Sequence, residues 1–237
     1  MYYKINFVLF WFFLTSSVEG MSHEIDRSFK LIFWGAELGE FEVKGEIESR
    51  KYSVTTRIVG KSLISLFSKY EISSGAVGDV NGNDEFIPRE SVTRWNTRGK
   101  FRQTQLFYKN GALTDFQTSL GLSKEYHIDN PIGIGNTIDP VSLVYWLLLE
   151  RGEHQLCKQK LVVLDGFRMS ELSFKTKNRV ENSFVCTGEI YRIEGFKNLD
   201  LNKKPLSFKI IYNLKNKNKF AISQFEIETI FGKIILK

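Results

Sequence analysis

Apolar and polar residues alternate with a period of two along most of this chain, and turn residues cut the alternation into short runs. That pattern predicts antiparallel β-strands with one face turned inward. Residues 29–34 form the first clear run. A turn at Gly35 leads into 38–47, where Phe41, Val43, Gly45 and Ile47 share a face. Residues 52–59 repeat the device with Tyr52, Val54, Thr56 and Ile58. Further strands are predicted at 69–77, 90–97, 101–108 and 113–120. The last two flank Asn110-Gly111, a pair suited to the two positive-φ positions of a tight hairpin turn. Beyond Cys157 the pattern continues through 160–164, 169–176, 183–193, 206–213, 221–229 and 233–236.

Two segments break the alternation. Residues 61–67 read as a short helix carrying Leu63, Ile64, Leu66 and Phe67. Residues 139–148 make a better one: the Asp139 carboxylate can cap it, and Pro140 at the first helical position loses no hydrogen bond. Its body, Val141 to Leu148, is apolar nearly all the way round, which predicts burial on several sides. A helix of that kind suits the concave face of a curved sheet. The expected fold is mainly β: a single-domain curved antiparallel sheet or open β-barrel of about eleven strands. Two short helices complete it, one packed on the concave face.

The N-terminus adds a compartment. Lys4 precedes ten uncharged, mostly apolar residues, 5–14, and then Thr15-Ser16-Ser17-Val18-Glu19-Gly20. This is the order of a secretory signal peptide, expected over 1–20, with 21–237 as one β domain. An uncleaved anchor is the alternative. The apolar run is too short to cross about 30 Å of hydrocarbon, which takes roughly 20 helical residues. No later segment reads as a span, so export of a soluble domain is expected.

Export changes what Cys157 and Cys186, the only two cysteines, mean. In an oxidising compartment their simplest state is one disulfide, expected to clamp strands together. A buried thiol pair and a metal site are the alternatives. Without a Cys-x-x-Cys spacing, and with three scattered histidines, no metal cluster is expected. The formal charge of +6 gathers late, at Lys197, Lys203, Lys204, Lys209, Lys215, Lys217 and Lys219. Such a run can attract nucleic acid or anionic lipid. A solvated, lysine-rich surface is the plainer account, and export argues against a nucleic-acid partner.

Candidate chemistry is thin. Asp139 is accounted for as a cap, and Asp165 with Gly166 as a turn. Arg168 is expected to point from that turn toward a carboxylate on a neighbouring strand. His23, His127 and His154 have no partner at motif spacing. No Gly-x-Ser-x-Gly elbow, phosphate-binding loop or His-Glu-x-x-His appears, so no catalytic residue, metal or cofactor is assigned. The aromatic content, 14%, exceeds what packing alone asks of the strands. It makes Phe33, Trp34, Trp95, Phe107, Phe116, Tyr145 and Trp146 candidates to line a ligand cavity, with core filling as the alternative for each.

Five elements resemble a family of exported bacterial proteins, DUF3108. They are Leu31 to Gly39, the Asp139-Pro140-Val141-Ser142 helix start, and Val163 to Arg168. The others are Cys186 followed by Tyr191 to Phe196, and the closing Thr229 to Ile234. The resemblance spans the chain beyond residue 20. It implies periplasmic residence in a Gram-negative bacterium and a curved sheet or open barrel similar to periplasmic lipoprotein carriers. It carries over no catalytic residue. Members carry a more basic run after the Asp-Gly turn, where this chain has Phe167-Arg168-Met169-Ser170. The expected function is a non-enzymatic binding or carrier protein for an apolar or lipid-like ligand of the cell envelope. The alternative is an envelope interaction or scaffolding protein that uses a sheet edge or its basic face.

A Cys157–Cys186 disulfide closes a loop of about 30 residues, which on chain-entropy grounds contributes roughly 3–4 kcal/mol. Reduction is therefore expected to lower the urea-unfolding free energy by that amount, and unchanged stability under reductant would count against the bond.

Overall fold

The computed structural model describes residues 23–61, 70–82, 84–97, 99–119, 128–157, 160–197, 203–216, 218–229 and 231–237. The signal peptide expected over 1–20, most of the helix expected over 61–67, and His127 lie outside them.

Fourteen strands form one antiparallel sheet. The first seven are β1 (His23–Phe33), β2 (Ala36–Glu48), β3 (Lys51–Gly60), β4 (Tyr70–Val80), β5 (Phe86–Thr97), β6 (Lys100–Lys109) and β7 (Ala112–Thr118). A single α-helix among the described residues, α1 (Pro140–Leu148), is followed by β8 (Arg151–Gly152) and a 3-10 turn at Glu153–Gln155. Then come β9 (Lys160–Leu164), β10 (Met169–Val180), β11 (Ser183–Glu194), β12 (Leu206–Asn216), β13 (Lys219–Thr229) and β14 (Gly232–Leu236). The expectation of about eleven strands is corrected to fourteen, and of the two expected helices the one beginning at Pro140 is present among the described residues. Each alternating segment is a separate strand, and β8, two residues paired with β13, is too short for alternation to reveal.

The spatial order runs β7-β6-β5-β4-β3-β2-β1-β14-β13-β12-β11-β10-β9. The first and last strands of the chain order thus meet at the centre of the sheet, where Leu31 faces Leu236 and Phe33 faces Ile234. The two edges, β7 and β9, share no ladder. The connection 128–138 lies between them and bonds to both. Leu113 N–H donates to Ile134 O at 3.0 Å and Gly133 N–H to Leu113 O at 2.7 Å. On the other side Ile138 N–H donates to Val162 O at 2.9 Å and Leu164 N–H to Ile138 O at 3.0 Å. Leu106, Tyr108, Leu113, Ile128 and Leu164 bury a small second core under this seam.

The strap delivers the chain to α1 on the inner face. Asp139 Oδ1 accepts the N–H groups of Val141 and Ser142 at 2.9 and 3.0 Å, the expected cap. At the far end Arg151 Nη2 donates to Trp146 O at 2.6 Å, and its guanidinium lies 3.6 Å over the Trp146 ring. A cation there complements the negative end of the helix dipole. Tyr145 seats on Gly45, where an added Cβ would come within 2.7 Å of the ring. The main core surrounds this helix, from Ile25, Phe29 and Val43 on one wall to Phe184, Ile210 and Tyr212 on the other.

Cys157 and Cys186 are paired, with Cα atoms 5.7 Å apart. The link ties the loop after the 3-10 turn to β11, so it clamps a loop to a strand, in place of the expected strand-to-strand clamp. Two lysines of the late run are in ion pairs: Lys209 shares Glu226 with Lys233, at 2.5 and 3.1 Å, and Lys215 meets Glu150 at 2.5 Å.

Gly166 sits at φ +89°, and an added Cβ would lie 2.6 Å from Phe116 and 2.7 Å from Leu106, across the seam. Gly166→Ala is expected to lose about 2–4 kcal/mol, from left-handed strain plus overpacking. Gly111→Ala, at φ +75° in open space, should lose only the backbone part, about 1–2 kcal/mol. Equal losses in urea unfolding would mean that the seam is not tightly packed.

Candidate ligand-binding site

Because α1 fills one half of the interior, the other half is hollow. That end carries the β1–β2 turn at Trp34-Gly35, the turn after β9, and the Phe231-Gly232 turn before β14. Strand register sorts the inner wall into layers. Nearest the mouth, Phe29, Phe41, Ile58, Ile72, Trp95 and Arg102 are cross-strand neighbours. One layer deeper, Val43 is followed across the sheet by Thr56, Ser74, Thr93, Thr104 and Thr118. A band of hydroxyls thus runs along the wall of β3 to β7.

Two cavities occupy the hollow end. The first, about 710 Å³, lies between that wall and the start of α1. Phe41, Ile72, Leu106, Val141, Val144 and Phe167 supply its apolar surface, while Thr56, Ser74, Ser91, Thr93 and Thr104 supply hydroxyls. Lys100, Arg102 and Arg168 bring positive charge, and Asp165 is the one carboxylate in the lining. The second, about 610 Å³, faces β1, β12 and β14 and is far more apolar: Leu31, Phe33, Leu38, Phe196, Leu206 and Ile234 line most of it. Arg168 lines both.

Asp165 and Arg168 are held by one turn. Asp165 Oδ1 accepts the N–H groups of Phe167 and Arg168 at 2.8 and 2.7 Å, an Asx turn that aims the arginine at the cavities. Burial pushes the Asp165 carboxyl upward, against these hydrogen bonds and the Arg168 charge. Arg168 is expected to point toward a strand carboxylate, but it forms no ion pair with a carboxylate among the described residues. Its guanidinium instead lies 5.5 Å from the Phe196 ring centre, and its buried Nε has no hydrogen-bond partner. Three more buried polar atoms lack partners at the inner end of the seam, Tyr108 Oη, Thr137 Oγ1 and Asp139 Oδ2. Burial raises both the Tyr108 hydroxyl and the Asp139 carboxyl above their ordinary ranges.

The sequence-based candidates divide. Trp95 lines the first cavity and Phe33 the second. Tyr145 and Trp146 are buried in the core around α1, and Phe116 packs edge-on against Phe167 at 4.9 Å in the seam. Trp34 is exposed at its turn. Phe107 lies on the opposite face of β6 from buried Leu106 and Tyr108, outside both cavities. The hydroxyl band, Arg102 and Arg168 were missed as site residues. Thr56 already shared an inward face with Tyr52 and Val54, and that was the available signal. His23 is paired in β1 with Ile47, and His154 sits in the 3-10 turn. No group of three or more His, Cys, Asp or Glu among the described residues could hold a metal ion. No described helix is long and apolar enough to cross a membrane.

No family model and no curated protein matches the sequence. Among solved structures, the chain is similar to a β-barrel-like protein of the domain of unknown function DUF1849 from Brucella abortus. The TM-score is 0.52 at 10% identity, over 90% of this chain and 94% of that one. At that identity the likeness is one of fold, and it places this protein in the class of β-barrel-like antiparallel sheets.

Asp139 yields a pH dependence. Its folded-state pKa lies above the ordinary value of 3.8, through burial. The stability this contributes is complete below about pH 3.8 and is lost as pH rises through the folded pKa. Asp139→Asn keeps an acceptor for the cap and should abolish that loss. Asp139→Ala removes the same titration together with the cap, so it should lie about 1 kcal/mol below Asp139→Asn at every pH. Urea unfolding at about pH 4 and about pH 7 checks this; identical pH slopes for Asp139→Asn and the parent would refute it.

Proposed function

We propose that this protein is a non-enzymatic binding or carrier protein for a lipid-like ligand in the cell envelope. The observation that carries the reading is the second cavity. It is a cavity of about 610 Å³ with a mainly apolar lining, at the open end of a sheet whose other half is filled by the core around α1. Water gains little from such a surface, and an acyl or ring system removes it from solvent at roughly 25 cal/mol per Å². The β-barrel-like fold is compatible with this use. The paired cysteines agree with an exported, periplasmic location, and kinship with DUF3108 is part of the same proposal.

A second reading, an envelope interaction protein, is favoured by the rim. Trp34, Phe101 and Phe231 are 78%, 65% and 71% exposed, all in or beside turns at the cavity end. Exposed aromatics clustered around an opening mark a contact surface as readily as a ligand gate.

The test is binding of the apolar dye N-phenyl-1-naphthylamine, followed by its fluorescence. Leu206→Trp, which fills the second cavity, is expected to weaken binding about tenfold, equivalent to about 1.4 kcal/mol, at an unchanged melting temperature. Full dye binding by that variant would move the apolar site elsewhere; no binding by the parent would favour the interaction reading.

A further inference from the structure

Resting on the reading of the hollow end as a ligand site, we propose that its ligand is an anionic amphiphile. The apolar chain lies in the second cavity, and the polar, negatively charged head lies in the first, against Arg168. The two cavities differ in chemistry. The second has a mainly apolar surface, although Arg168, Arg192 and Lys203 are among its lining residues, while the first carries a hydroxyl band at sheet register together with Lys100 and Arg102. A purely apolar ligand would leave that band and those charges facing hydrocarbon, which is unfavourable for every unpaired polar group. A small polar solute would leave the second cavity unused.

Arg168 is where the two parts meet. It lines both cavities, it is aimed there by the Asp165 turn, and it makes no ion pair with a described carboxylate. Its Nε is buried with no protein partner, so the hydrogen-bonding capacity of this guanidinium is only partly used within the protein. Arg192 lines the second cavity as well and faces the same Phe196 ring, at 6.0 Å. One of its donors is already used, on Lys204 O at 3.2 Å. Against these cations stands one lining carboxylate, Asp165, whose Oδ1 is occupied by two backbone N–H groups. The local balance therefore favours an anion. A guanidinium fork donates two parallel hydrogen bonds to either a phosphate or a carboxylate. Hydroxyls of Ser74, Thr93 and Thr104 can bond the uncharged oxygens of the same head group.

Three probes separate the parts of this ligand. Lauroyl lysophosphatidylglycerol carries chain and charge, monolaurin carries the chain and glycerol without phosphate, and glycerol 3-phosphate carries the head alone. Below micellar concentration, titration calorimetry on the full protein is expected to rank the first at least tenfold tighter than either other. Arg168→Gln should weaken the lysophospholipid about tenfold or more, as loss of a charge-assisted hydrogen bond does. It should leave monolaurin unchanged. Arg102→Gln, at an exposed wall position, gives a smaller loss and serves if Arg168→Gln does not fold. Equal affinity for lysophospholipid and monolaurin, insensitive to both substitutions, would overturn the anionic head while leaving the apolar site intact. Glycerol 3-phosphate binding as tightly as the lysophospholipid would make this a free-anion site and overturn the amphiphile. If no probe binds, the ligand-site reading falls with it.

Discussion

A sheet of this length has two free edges, and each edge presents unpaired N–H and C=O groups to whatever is nearby. Here the strap of residues 128–138 answers both at once, bonding Leu113 on β7 and Val162 and Leu164 on β9. Everything else follows from that suture. It bends the sheet round on itself and brings Gly166 under Phe116 and Leu106. Its last residue but one, Thr137, hands the chain to Ile138 and then to the Asp139 cap of α1. The position of the helix inside the sheet is thus set by backbone hydrogen bonds made before the helix begins.

The helix then divides the interior unequally. Tyr145 on Gly45 and Trp146 under Arg151 fill one half with large, well-fitted side chains. Nine helical residues span only about 14 Å at 1.5 Å each, well short of strands of ten to thirteen residues. The remaining length of the strands has nothing to pack against, so the inner wall there faces two cavities. The same geometry leaves polar atoms at the junction unsatisfied, Tyr108 Oη, Asp139 Oδ2 and Arg168 Nε among them. Groups of this kind are destabilising in a dry core; the packed end carries two of its own, His23 Nδ1 and Arg151 Nε, so what separates the two ends is the hollow itself.

Much of the strand framework was legible because alternation reports burial directly: Phe41, Val43 and Tyr52, Val54 do face the core. The cap at Asp139 and the turn at Asp165 were legible for a similar reason, since both are local hydrogen-bonding devices complete within three residues. The aromatic candidates fared unevenly. Composition says that aromatics are abundant but not which space each fills, so Tyr145 and Trp146 went to the core, Phe107 to the outer face, and only Trp95 and Phe33 to the cavities.

Readable from the chain alone were the antiparallel β class, the strand boundaries to within about four residues except at the start of β1 and at the short β8, the capped buried helix and the pairing of two cysteines. Each depends on interactions between near neighbours or on a residue type that occurs only twice. That β1 meets β14, that a connecting segment stitches the two edges, and that Arg168 faces two cavities instead of a carboxylate emerge only in the folded chain. Those outcomes depend on which strands lie side by side after closure, and period-two patterning carries no information about the identity of a strand's neighbour.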